Sequence, residues 1–204
     1  AIGCEFASLL NDLDSDVVVV ELASEILPGL DKRTSGELRK QLSKRGVNFK
    51  LGTSVDSITD NQVSFSDGES ETFDCVLVAV GRKPFTDGLG LENLNININK
   101  NGTIDVDKNF QTNIEGIYAI GDVISGPMLA HKASSEGHVF AEQLLGNKPE
   151  VNYQCIPAVV YTEPEVAWVG PSERELETKK IAYKKGIFPF KKGKKEKLFK
   201  IDLL

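Results

Sequence analysis

The sequence predicts an α/β fold built on parallel strands, and three observations predict it. Residues 17–20 are an unbroken run of valines closed by Glu21, with a helical stretch at 4–13 before them. Residues 75–80, Cys-Val-Leu-Val-Ala-Val, are apolar throughout, the pattern of a strand covered on both faces. Residues 117–120, Ile-Tyr-Ala-Ile, run into Gly121 and the carboxylate of Asp122. A glycine there lets a ligand approach the backbone, and an acid at the carboxyl end of a strand sits where open α/β sheets bind hydroxyls.

Gly3 opens the first helix and Glu21 follows it by 18 residues. A glycine at a helix start, with an acid about 20 residues later closing the next strand, is the back half of a dinucleotide-binding unit. The front half, a first strand and two earlier glycines, does not precede it, and no initiator Met is present. The chain is therefore read as part of a longer polypeptide. Without a central first strand, two parallel edges would stay open, so these residues are expected not to fold stably as an isolated monomer.

The remaining elements follow in order. Residues 31–45 predict a helix, with Asp31 as N-cap, Leu38 and Leu42 four apart, and Gly46 as the stop. Residues 47–50 and 54–59 predict strands, and turns at 60–61 and 67–68 lead an antiparallel meander through 63–65 and 71–73. The 75–80 strand then ends at Gly81. Residues 95–99 and 103–106 read as short strands around an Asn101-Gly102 turn, and 130–145 as an amphipathic helix stopped by Gly146. Beyond a polar linker at 147–152, residues 156–161 and 165–170 read as strands, and Ser172 with Glu175 forms a capping box.

Composition narrows the function. A net charge of −6 argues against general attraction to nucleic acid. No apolar run approaches the ~20 residues of a membrane span, and the start lacks the layout of a signal peptide. Cys4, Cys75 and Cys155 have no metal-type or CxxC spacing, which fits a reducing compartment, and Cys75 reads as a small buried hydrophobe. His131 and His138 are seven apart, but two histidines make a poor metal site, so no metal is expected; His131 reads as positional and His138 as structural. The eight lysines between 184 and 200 read as a solvated surface.

Residues 112–122, TNIEGIYAIGD, have the form T-x5-[YF]-A-x-G-D, and PMLAHKASSEG begins at residue 127. With AIGCEF at the start, GRKP at 81–84 and IPAVVYTEPEVAWVG at 156–170, the chain resembles the flavoprotein pyridine-nucleotide disulfide reductases. The likeness runs from residue 1 to about 190, and favours their dihydrolipoamide-oxidising branch. It implies three parts: a Rossmann-like NAD domain lacking its first strand (1–83), the second part of an FAD domain (84–150), and the start of an α+β interface, or dimerisation, domain (151–204). The tail after Phe190 departs from the family pattern.

The resemblance also implies roles. Asp122 would accept hydrogen bonds from the ribityl chain of FAD. Met128, Leu129, Ala130 and His131 would set backbone against the flavin pyrimidine edge, where a helix N-terminus favours negative charge. Glu21 would bind the adenosine ribose hydroxyls of NAD, and residues 22–29 contain no Arg or Lys to attract a 2′-phosphate. A solvated Glu at a strand end is the plainer alternative. Ile2, Gly3 and Gly81 would also face NAD, while Val55 would line the adenine pocket or pack as core. Glu5 would lie near flavin N5, paired with a Lys outside these residues.

The implied reaction is FAD-dependent oxidation of protein-bound dihydrolipoamide with NAD⁺ as acceptor. The family's C-x4-C redox pair and its His-Pro segment do not occur in the 204 residues, so the chain alone is expected not to turn over substrate. Alternatives are another reductase of this architecture, such as a transhydrogenase or a mercuric or glutathione-type enzyme, and a non-catalytic nucleotide-binding or dimerisation module. The implied partners are a second copy, in a homodimer, and the lipoyl-bearing acyltransferase of a 2-oxo-acid dehydrogenase complex. The implied compartment is the bacterial cytoplasm or the mitochondrial matrix.

Overall fold

Val18–Glu21 (β1) and Asn48–Leu51 (β2) pair in parallel, Val18 opposite Asn48 and Glu21 opposite Leu51. This is seen in a computed structural model of the chain that describes residues 1–186 and the backbone of 198–199. The chain divides into two compact units, Ala1–Val80 with Pro157–Leu204, and Gly81–Ile156. The lysine-rich tail expected as a solvated surface, and the divergence after Phe190, lie almost wholly outside the described residues.

In the first unit, parallel pairing of β1 and β2 requires a crossover, and Lys32–Lys44 (α2) supplies it. Asp31 caps this helix through Oδ1, which accepts from the Thr34 backbone N–H at 3.1 Å. The helix ends at Gly46, whose φ of +116° a side chain would resist. Leu38 and Leu42, four apart, are both fully buried, each contributing about 1.5–3 kcal/mol of burial. Ile2–Asp12 (α1) buries Cys4, Ala7 and Ser8 into the same core, with Ile26, Leu27 and Val47. Its other face leaves Phe6, Leu9 and Leu10 exposed.

The expected meander is present. Val55–Thr59 (β3), Gln62–Phe65 (β4) and Ser70–Thr72 (β5) form a three-stranded antiparallel sheet, with Val63 and Phe65 buried. Lys50 lies 4.8 Å from the Phe65 ring centroid and pairs with Glu69 and Glu71. The buried strand expected at 75–80 is not formed. Cys75 is exposed, and Leu77, Val78 and Val80 are 51%, 65% and 93% exposed. A strand is completed by hydrogen bonds to neighbours, and among the described residues no strand pairs with this segment. Among the described residues its apolar side chains are left largely exposed.

Farther along the first unit, Ala158–Val160 (β6) pairs antiparallel with Val166–Trp168 (β7), placing Val160 and Val166 in the α1–α2 core. The helix that follows, Glu173–Thr178, carries the expected capping box: Ser172 Oγ accepts from Glu175 N–H and Glu175 Oε2 accepts from Ser172 N–H. That bond draws the Glu175 carboxyl below its usual range.

The second unit has little regular strand. Residues 95–99 and 103–106 make one antiparallel bridge, Ile98 to Ile104, and residues 117–120 one bridge, Tyr118 to Gln111, in place of the expected strands. Short polar-flanked runs spend much of their backbone bonding on side chains and turns: the Asn97 N–H donates to Asn113 Oδ1, and the Thr103 N–H to Asn101 Oδ1. Ile96, Ile104, Phe110 and Ile124 form the core, against Ala130–Leu144, the third helix (α3).

Candidate functional site

In the second unit the site grows from Thr112. Its buried side chain both accepts from Ile114 N–H (3.1 Å) and donates to Ile114 C=O (3.2 Å). Thr112 N–H donates to Ile117 C=O, so residues 112–117 close as a turn and return the chain beside Phe110, whose carbonyl accepts from Ala119 N–H. The chain then meets Gly121, buried, at φ +79°. A Cβ there would lie 3.4 Å from Ala133 Cβ, an ordinary contact, so it is the conformation that favours glycine. Gly121–Val123 forms a single 3₁₀ turn rather than a strand end, and it carries Asp122 outward. The Asp122 side chain is 38% exposed, with Oδ2 3.5 Å from an Arg82 guanidinium nitrogen that is itself largely exposed. An exposed pair at that distance adds little stability, and leaves the carboxylate open as an acceptor.

Beneath this turn lies what the sequence reading missed. Lys132 and Glu136, one turn apart on α3, are both fully buried, with Nζ 2.9 Å from Oε1. Lys132 Nζ also donates to Gly121 C=O at 2.9 Å, and Glu136 Oε2 accepts from Gly121 N–H at 2.7 Å. Tyr153 completes the network, donating its hydroxyl to Glu136 Oε1 at 2.8 Å. Burial and then this bond push the phenol up. α3 is the expected helix, with Val139 and Phe140 on the core, but its two most buried positions are a charged pair. Their i, i+4 spacing was legible as a pair, but the same spacing serves as well on a solvated face.

Met128 and Leu129 are half-buried, and Ala130 and His131 exposed, where α3 begins. His138 is also exposed. Among the described residues no group of three or more His, Cys, Asp or Glu side chains could hold a metal ion. A concavity of about 520 Å³ is lined in part by Ile104, Phe110, Ile124 and Tyr153, none of them anticipated.

In the first unit, Glu21 ends β1 at its carboxyl end. Its Oε1 accepts from Ala23 N–H at 2.8 Å, and Oε2 has no protein hydrogen bond among the described residues. Gly3 lies on the first turn of α1, where a Cβ would meet Ala79 at 3.6 Å. Cys4 follows it, buried; burial raises its thiol pKa, and the charge of Glu21 raises it further. Ile2 is 41% exposed, and Val55, at 42%, stands on the surface rather than in the core. Glu5 Oε1 accepts from the Tyr161 backbone N–H at 2.9 Å. A cation does reach the segment after Glu21, from α2: Arg39 is held by both oxygens of Glu25 at 2.8 and 3.1 Å, which draws the Glu25 carboxyl down. Gly81 opens the second unit at φ +125° with clear space where a Cβ would be.

Both acceptors suit hydroxyl-bearing ligands. Each is an accessible carboxylate, Glu21 at the end of β1 with one oxygen unengaged among the described residues and Asp122 after a glycine at positive φ.

Comparison with known proteins shows the family. The family model described as pyridine nucleotide-disulphide oxidoreductase matches residues 1–137, and that of the family's dimerisation domain matches 156–200. The dihydrolipoyl dehydrogenase of Cupriavidus necator is 43% identical over 93% of the chain and 42% of its own length. The mitochondrial dihydrolipoyl dehydrogenase of Homo sapiens is 44% identical over 93% of the chain and 39% of its own length. Among solved structures, the HOCl-induced flavoprotein disulfide reductase RclA of Escherichia coli superposes with a TM-score of 0.79 at 31% identity, covering 87% of this chain and 42% of its own. LpdA of Mycobacterium tuberculosis gives 0.81 at 28%, covering 90% and 41%. The chain thus spans about 40% of the length of the curated relatives it matches.

Proposed function

Because the chain belongs to the pyridine nucleotide-disulphide oxidoreductase family, we propose that it serves in the oxidation of protein-bound dihydrolipoamide by NAD⁺. FAD and NAD are the cofactors of this lineage. The overall reaction converts a dithiol and NAD⁺ to a disulfide, NADH and a proton. When bound, the flavin supplies a carrier able to take two electrons from the dithiol side and release them to nicotinamide. The protein's part is to bind, orient and exclude water.

The observation that carries the reading is the Gly121–Asp122 turn, an accessible carboxylate on a 3₁₀ turn opened by a glycine at positive φ. Asp122 holds the flavin side chain through its hydroxyls, and residues 128–131 present the start of α3 to the ring. Glu21 would hold the adenosine ribose of NAD, with Ile2, Gly3 and Val55 of the same unit as its other candidate contacts. Arg39, engaged by Glu25, is not offered to a 2′-phosphate, which favours NAD over NADP.

The domain division 1–83, 84–150 and 151–204 belongs to this reading. So does a homodimer, supported by the dimerisation-domain match, and docking to the lipoyl-bearing acyltransferase of a 2-oxo-acid dehydrogenase complex. Relatives from a bacterium and from mitochondria support a bacterial cytoplasmic or mitochondrial matrix setting. Among the described residues no helix is long and apolar enough to cross a membrane.

The test is flavin and nucleotide affinity. A hydrogen bond to a charged group contributes about 1.5–3 kcal/mol, so Asp122→Asn should weaken FAD, and Glu21→Gln NAD, by roughly 10- to 150-fold. An Asp122→Asn protein that keeps full flavin affinity overturns the assignment.

A further inference from the structure

We propose that Lys132 and Glu136 are positioning residues for the flavin site, acting through the backbone of Gly121. The inference rests on the reading of Asp122 as the flavin-hydroxyl acceptor. Its observation is a two-sided grip on one residue: Glu136 Oε2 takes the Gly121 N–H at 2.7 Å, and Lys132 Nζ donates to the Gly121 carbonyl at 2.9 Å. The two side chains also bind each other at 2.9 Å, and solvent reaches neither. Gly121 immediately precedes Asp122, so holding its N–H and C=O from one rigid helix sets the direction in which the Asp122 carboxylate leaves the chain.

A buried ion pair is a poor device for stability alone, because apolar side chains of similar volume often serve as well or better. Its directional bonds do what an apolar pair cannot, which is to fix a backbone that has little strand to hold it. The neighbourhood keeps the pair in place. Tyr153 occupies Glu136 Oε1 at 2.8 Å, and a Cβ at Gly126 would lie 3.1 Å from Lys132 Cε, so that glycine leaves room for the stem of the lysine. The grip therefore couples α3 to the acceptor, and loosening it should cost flavin affinity even where the fold survives.

The experiment is a double-mutant cycle on flavin affinity, measured by titrating flavin-stripped holoprotein with FAD and following quenching of flavin fluorescence. Asp122→Asn, Glu136→Gln and the combined variant are compared with wild type. The expected result is at least tenfold weaker binding for each single change and little further loss in the combination, since both act through one acceptor. Because Glu136→Gln strands a buried cation, the uncharged pair K132M/E136L is measured as well, along with Tyr153→Phe. K132M/E136L should melt near wild type and still bind FAD at least tenfold more weakly. Y153F, which loses one bond to Glu136, should weaken binding by about 2- to 10-fold. Losses that simply multiply in the combined variant, or a K132M/E136L protein with wild-type affinity, overturn the positioning role while leaving Asp122 assigned. An Asp122→Asn protein with unchanged affinity overturns both.

Discussion

Lys132 Nζ and Glu136 Oε1 lie 2.9 Å apart at the centre of the second unit, with no solvent on either side chain. Each carries one side of the Gly121 peptide frame. The stability of the unit and the direction of Asp122 are therefore tied to the same two residues. Removing one charge without the other should be costly: Glu136→Ala leaves Lys132 buried and unpaired, a loss of about 3–5 kcal/mol. Chemical denaturation at neutral pH measures it, and a loss below about 1 kcal/mol would show that the lysine escapes to water.

Gly121 should not tolerate a side chain. Its φ of +79° places Gly121→Ala at a cost of about 1–2 kcal/mol. The melting temperature should fall accordingly. A variant as stable as wild type would mean that the turn relaxes freely.

Tyr153 should ionise above its ordinary range. The residue is 46% exposed, but its hydroxyl rests on buried Glu136, and desolvation followed by that bond raises the phenol. A raised folded-state pKa gives stability that is whole below the unfolded value near ~10 and lost as pH climbs through the folded one. Absorbance titration at alkaline pH should show late tyrosine ionisation, and Tyr153→Phe should remove part of it, leaving that of Tyr183, which burial also raises.

Glu25 should titrate below an ordinary glutamate, chiefly through its bonds from Arg39. The sign is opposite to that of Tyr153: the contribution is present above the ordinary carboxylate range and lost as pH falls through the lowered value. Arg39→Gln should return the Glu25 carboxyl to its usual range in an NMR titration, and an unmoved pKa would dissociate the pair.

Two changes on α2 separate core from cap. Leu42, fully buried, should cost about 2–5 kcal/mol when cut to alanine. Asp31→Ala, which removes the bond to Thr34, should cost about 0.5–2 kcal/mol. Urea midpoints that reversed this order would place the main support of α2 at its end rather than in its core.

The sequence by itself determined the parts whose cause is local. Asp31 and Gly46 bound α2, Leu38 and Leu42 face inward, Ser172 and Glu175 cap a helix, and turns at 60–61 and 67–68 lay out the meander. Capping bonds and hydrophobic spacing act within a few residues, so a single pass along the chain reads them. The carboxylates of Glu21 and Asp122 were legible for the same reason, each standing next to the run that carries it. Only the tertiary structure decided the rest. Residues 75–80 read as a buried strand, yet stand exposed, because a strand depends on neighbours that its own composition cannot supply. Lys132 and Glu136 lie in a helix read only as amphipathic, yet are fully buried, because their partners, the Gly121 peptide and Tyr153, are 11 to 17 residues away. A charge is stable in the interior only where such distant groups converge to replace its water, and that convergence is a property of the fold.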